Sequence, residues 1–159
     1  MNEKLLQYPI RFAYKDEWND IIQMVWKTFL KFEAPDYPEE GIKNFNEFIT
    51  DHTLFRMFEK GYYRVMVALD GKKIAGVISV RDSSHISLLF VEESYHNRGI
   101  GKSLIEEMQE YLTLEEGITK ITVNSSPYAV GFYHNIGFTD TGLEQMSGGI
   151  RFTPMEKIL

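Results

Sequence analysis

The residue types and spacing best suited to chemistry lie in "YHNRGIGKSL", Tyr95 to Leu104, which follows the apolar run "ISLLFV" and opens an amphipathic stretch. A strand, two glycines one residue apart and then a helix form an arrangement that holds anions. A nucleotide P-loop would need glycine at position 96, where this chain has His96. A dinucleotide fingerprint would need glycine at position 104, where Leu104 stands. What remains is a loop whose successive N–H groups, at Arg98 to Lys102, converge at a positive helix end, with Gly99 and Gly101 letting a ligand approach the backbone. That suits a pyrophosphate; a turn that only joins strand to helix explains the same residues.

Other chemistries are poorly served. The chain has no cysteine, which removes disulfides, thiolate metal ligands and a cysteine acyl-enzyme. His52, His85, His96 and His134 show no paired metal-ligand spacing, so no metal is expected. A hydrolytic triad from Asp82, Ser83, Ser84 and His85 fails because neighbours on an extended chain point to opposite faces.

These residues need a scaffold, and the apolar periods supply one. Ile10 to Ala13 reads as a short strand. Trp18, Ile21, Ile22, Val25, Trp26, Phe29 and Leu30 then recur at the helical period, with Asp16 placed to cap the start. "EAPDYP" breaks that helix; a second one carries Ile42, Phe45, Phe48 and Ile49, and a short turn holds Leu54, Phe55 and Phe58. From Tyr62 the period becomes that of strands: "YYRVMVAL", the Asp70-Gly71 hairpin signal, "KIAGVISV", and a third run from His85 to Val91. A helix over about Gly99 to Leu114, the strand "ITKITV", a short helix from Pro127 to Ile136 and two last strands complete the order βααβββαβαββ. The prediction is an α+β domain, a mixed central sheet flanked by about four helices.

With 159 residues, 43% of them hydrophobic, the chain is sized for one core, and a single domain over residues 1–159 is expected. A net charge of −6 argues against a nucleic-acid surface and mildly favours cationic partners. No apolar run approaches the ~20 residues of a membrane span, and the start "MNEKLLQYPIRF" lacks a signal-peptide core. A soluble, cytoplasmic protein with no membrane partner is expected, with a homodimer among the open oligomeric states.

"LLFVEESYHNRGIGKSL" resembles the acetyl-CoA loop of the GCN5-related N-acetyltransferase (GNAT) family, [QR]-x-x-G-x-[GA] directly after an apolar strand. The departure is His96, where that family usually has Gln or Arg. A second match lies in "VNSSPYAVGFYHNIGF", which looks like the family's strand, tyrosine-bearing helix and closing Gly-Phe. The resemblance implies a GNAT-like domain using acetyl-CoA as co-substrate. It places cofactor contacts at His96, Asn97, Arg98, Gly99, Ile100, Gly101, Lys102 and Ser103, along a splayed strand end at Leu89, Phe90 and Val91, and at Asn124.

Acetyl transfer to an amine requires a neutral nitrogen, a stabilised carbonyl oxygen and a proton for the departing thiolate. Periodicity alone puts Tyr133 on a core face with Ala129, Phe132 and Ile136; the resemblance makes it the acid, with an amide near Phe90 as oxyanion donor. His85, 96 − 85 = 11 residues before the loop's first motif position, stands where some family members carry a glutamate base, and a neutral imidazole can accept a proton at pH 7. In this family the acceptor cleft lies between the first helices and the sheet, which points to Phe32, Glu33, Asp36 and Tyr37, a set suited to a cationic amine. The expected activity is acetylation of a small-molecule primary amine by direct attack; a protein acetyltransferase and a regulatory acetyl-CoA-binding module without turnover are the alternatives.

Overall fold

In the computed structural model, residues 7–159 are described; the segment read as lacking a signal-peptide core begins in residues 1–6, outside them. The amino-terminal half contains β1 (Ile10–Phe12), α1 (Trp18–Phe32), α2 (Glu39–Thr50), α3 (His52–Glu59), β2 (Arg64–Asp70) and β3 (Lys73–Arg81). There follow β4 (His85–Val91), α4 (Ile100–Glu116), β5 (Lys120–Ser125), α5 (Val130–Asn135), β6 (Thr139–Asp140), β7 (Gln145–Ser147) and β8 (Ile150–Ile158). The α+β class and the mixed sheet match expectation, with five helices among the described residues instead of about four. The segment expected as a turn around Leu54, Phe55 and Phe58 is α3, because the Asp51 carboxylate accepts from the Thr53 N–H at 2.8 Å and Leu54 and Phe58 are buried. Three strands, not two, end the chain, since the Gly148-Gly149 turn folds β7 back on β8.

The capping of α1 also differs from expectation. Asp16 lies inside a 3-10 turn, and Glu17 does the local work. Its carboxylate accepts from the Tyr14 N–H at 2.7 Å and from both terminal nitrogens of Arg11 at 2.8 and 2.9 Å. At the other end, Pro35 stops the helix, and the chain passes through a tight turn over Ala34–Asp36.

The strands run in the order β1-β2-β3-β4-β5-β8-β6, and β7 pairs with β8. Alternation splits β2 between two cores: Val65 and Val67 pack with α1, whereas Met66 and Ala68 pack with α4. On the α4 side, Leu104, Ile105, Met108 and Leu112 are fully buried, each stabilising the fold by about 1.5–3 kcal/mol. Gly117, in the left-handed conformation, ends that helix by donating its N–H to the carbonyls of Leu112 and Thr113.

Two irregularities in β4 open the middle of the sheet. Pairing with β3 slips so that Ser79 faces Leu88 and Val80 faces Ile86, leaving Ser87 as an extra residue. Ile86 and Leu88 consequently enter opposite cores although they are two residues apart. The parallel pairing of β4 with β5 covers only His85 with Thr122 and Ile86 with Val123. Beyond that point the strands part, as the resemblance implied, and the sheet has a gap along Leu89 to Val91.

Candidate active site

Two cavities meet in this gap. One, about 520 Å³, is lined by the glycine loop, the start of α4, Phe32 and Phe132. The other, about 280 Å³, is walled by Phe29, Tyr37, Phe45, Phe48 and Phe90 and reaches Arg81, His85 and Asn124. Glu33, Leu89, Phe90, Ala129 and Tyr133 border both. Of these five, only Glu33 and Tyr133 carry titratable groups.

The loop cavity has the features of an anion site. Asn97 (φ 62°) and Gly99 (φ 78°) are left-handed, and an alternation of this kind turns neighbouring amides toward one side. Among the described residues, the N–H groups of Asn97 through Lys102 find no backbone acceptor; the first intrahelical bond of α4 runs from Ser103 N–H to the Gly99 carbonyl at 3.0 Å. A Cβ at Gly101 would stand 3.2 Å from the Phe132 ring, so glycine lets α4 and α5 close around the cavity.

The edge of β4 supplies further backbone groups. Glu92 donates its N–H to the Ala75 carbonyl at 2.8 Å, which turns residue 90 toward β3 as well. Antiparallel alternation therefore turns the backbone groups of Leu89 and Val91, not those of Phe90, into the gap. His96 donates its Nε2–H to the Val91 carbonyl at 2.7 Å, and its ring packs on Phe32 with centroids 4.9 Å apart.

Nine of the predicted cofactor residues line the loop cavity: Leu89, Phe90 and Val91 on the strand, and His96, Asn97, Gly99, Ile100, Gly101 and Lys102 on the loop and helix. Arg98 and Ser103 face the other side of the loop, in a separate 90 Å³ cavity. There Arg98 donates to the Tyr8 hydroxyl at 2.6 Å. Asn124 lies in the aromatic cavity, as do His85 and Tyr37, whereas Phe32 stands on the loop side.

The electrostatics of the junction follow from burial. Desolvation pushes the Glu33 carboxyl up to about 7, with Asp36 adding repulsion and the Ser126 hydroxyl opposing. Tyr133 is 4% exposed, and burial together with the Glu33 charge drives its phenol well above the ordinary range. Tyr37 is shifted the same way by burial, Glu33 and Asp36. His85 moves down through burial and Arg81, against the pull of Asp82, and its Nδ1 is engaged by the Thr122 hydroxyl at 2.8 Å.

Local sequence gives no site role to Ser126, Ala129, Arg81 or Ser87, all of which line the junction or the aromatic cavity. Ser126 before Pro127 signals a helix start, and its hydroxyl does accept from the Ala129 N–H at 3.3 Å, but nothing local announces that it also faces Glu33. Ser87 is presented to the cavity by the bulge, and it accepts from the Tyr63 hydroxyl at 2.9 Å.

A family model described as an acetyltransferase (GNAT) domain matches residues 33–159, and the chain belongs to that family. A curated relative, the peptidyl-lysine N-acetyltransferase YjaB of Salmonella typhimurium, is 37% identical over 62 residues, 39% of this chain; the match spans 41% of that relative's length. Among solved structures, a GCN5-related N-acetyltransferase from Rhodopseudomonas palustris superposes with a TM-score of 0.83 at 20% identity, covering 100% of both chains. The PaiA N-acetyltransferase of Thermoplasma acidophilum, in complex with coenzyme A, gives 0.80 at 19% identity over 97% of this chain and 100% of that one.

Proposed function

We propose that this protein moves an acetyl group from acetyl-CoA to the nitrogen of a small primary amine by direct attack. The observation that carries this reading is the junction itself: a loop cavity with diphosphate-binding character opens past Tyr133 into a separate aromatic cavity. Acetyl-CoA fits the residues present. The free amides from Asn97 to Lys102 match a diphosphate, and the edge at Leu89 and Val91, which β5 does not pair, suits an amide-bearing arm. When bound, it supplies the activated acyl group. An N–H of Leu89 or Val91 serves the carbonyl oxygen as charge develops, and Tyr133, protonated throughout the neutral range, provides a proton for the sulfur. His85 and Glu33 are the two groups of the aromatic cavity able to take the proton of the amine.

The acceptor cavity supports a small molecule: about 280 Å³ walled by aromatic rings, with the Glu33 carboxyl on one side and Arg81 across from it, a setting that suits a compact amine carrying an apolar or aromatic body. A second reading, acetylation of a protein lysine, rests on the name of the Salmonella relative. Thiol release from acetyl-CoA, measured over aliphatic amines, aromatic amines, amino acids and lysine peptides, tests both. Turnover with small amines supports the proposal; turnover with peptides alone supports the second reading. Tight coenzyme A binding with no thiol from any acceptor leaves only a regulatory binding module.

A further inference from the structure

We propose that Glu33 is the base of the transfer and that it hands the amine's proton to Tyr133, so that one proton circuit serves nitrogen and sulfur. This rests on the acetyl-transfer reading. The geometric ground is the junction: Glu33 and Tyr133 alone among the described titratable residues border both the cavity that would receive the amine and the cavity that would receive the thioester. His85 borders only the first, so a proton taken there must still cross that cavity to Glu33 or Tyr133 before it reaches the sulfur.

Glu33 is held for this role by the end of α1. Its N–H caps the helix on the Phe29 carbonyl at 2.9 Å, and Ala34 beside it is buried. Facing it are Asp36 and Tyr37 from the following turn, Ser126 ahead of α5 and Tyr133 on α5. Arg81 and His85 stand across the aromatic cavity, and the loop side contributes His96 and Lys102. Asp36 repels the ionised form and Ser126 favours it, so the carboxyl, pushed up to about 7, exchanges protons near neutral pH.

The balance is complete without another reactant. The amine nitrogen bonds to the acyl carbon as one of its protons passes to the Glu33 carboxylate. The carbon–sulfur bond breaks, and the thiolate takes the phenolic proton of Tyr133. A phenol raised this far above its ordinary range is a poor place to leave negative charge, and the Glu33 carboxylic acid, which makes no direct hydrogen bond to it in the ligand-free fold, restores its proton through water in the junction. Amine and thioester become amide and thiol, with both side chains back in their starting states.

The test is the pH profile of kcat/KM, with an amine that turns over, for the wild type, Glu33→Gln and His85→Gln, alongside coenzyme A affinity and a carbon-13 titration of the Glu33 carboxyl in the ligand-free protein. The wild type should show an acid limb near pH 7, and the carboxyl should titrate at about 7. Glu33→Gln should lose the limb and about 100-fold or more in kcat, with coenzyme A affinity within about 3-fold; His85→Gln should keep the limb. A limb that survives Glu33→Gln, or one that disappears in His85→Gln, overturns the assignment, as does a carboxyl titrating in the ordinary carboxylate range. A wild type that releases no thiol with any amine overturns the acetyl-transfer reading and this one with it.

Discussion

The His96 imidazole donates its Nε2–H to the Val91 carbonyl at 2.7 Å, filling a backbone acceptor that the missing β5 partner leaves open. The family resemblance puts Gln or Arg at this position, and all three side chains carry an N–H donor. We expect equivalence of donor, not of shape, to be what matters at this position. His96→Ala should cost about 1 kcal/mol, because the carbonyl then loses its partner, and should weaken coenzyme A binding several-fold. His96→Gln should recover most of both. Chemical denaturation and calorimetric titration with coenzyme A check the pair.

The Tyr133 phenol behaves differently. Among the described residues its hydroxyl makes no hydrogen bond, although the ring is 4% exposed and packs edge-on against Phe132 and Phe138. Tyr133→Phe therefore removes a polar atom that contributes little to the fold. The melting temperature should stay level or rise slightly, while kcat falls by about 10²–10⁴. A large loss of stability would instead mark Tyr133 as a structural residue.

Much of the fold is legible in the sequence. The helix through Trp18 to Phe32, the meander from Arg64 to Val91 and the helix after Gly99 announce themselves because their apolar periods are long and pure. The eight residues of α3 are too few for a clear period, and the bulge at Ser87 leaves no mark in an alternating run. The loop is legible because what it offers is a run of amides, whose freedom is encoded in glycine spacing. Which way Arg98 and Ser103 face is not, since the loop before α4 and the first turn of α4 carry them to the far side. Glu33 is legible as a cleft residue only. Its raised affinity for protons comes first from burial within the folded junction, with Asp36 adding repulsion against the opposing Ser126 hydroxyl, and that burial is something no local pattern records.

That raised affinity makes stability depend on pH. The folded state holds the Glu33 proton up to about pH 7, whereas an unfolded carboxyl gives it up near 4.5. The native state therefore binds more protons between these values, and stability falls as pH rises through that window. Glu33→Gln abolishes the effect. The variant's advantage in unfolding free energy should grow by about 1–3 kcal/mol from pH 5 to pH 8, the lower part of the range applying because Glu33 is only partly buried by area. Urea unfolding at the two pH values checks it, and an unchanged difference would show that the carboxyl is ordinary.

The roof of the aromatic cavity depends on a contact between two glycines. A Cβ at Gly41 on α2 would stand 2.1 Å from the Gly149 carbonyl oxygen, and Asn44, one turn later, donates to the Gly148 carbonyl at 2.7 Å. Backbone meets backbone here, so no rotamer change relieves the clash. Gly41→Ala must push the β7–β8 turn away, and Ile150, which follows that turn, lines the cavity. We expect a loss of about 1–3 kcal/mol and a raised KM for the amine, with coenzyme A affinity unchanged because the loop cavity is remote from α2. Gly131→Ala on α5 is the control: a Cβ there meets nothing within 4 Å, and alanine should stabilise the helix by up to about 1 kcal/mol. If both substitutions shift the melting temperature alike, the glycine contact does not hold the roof.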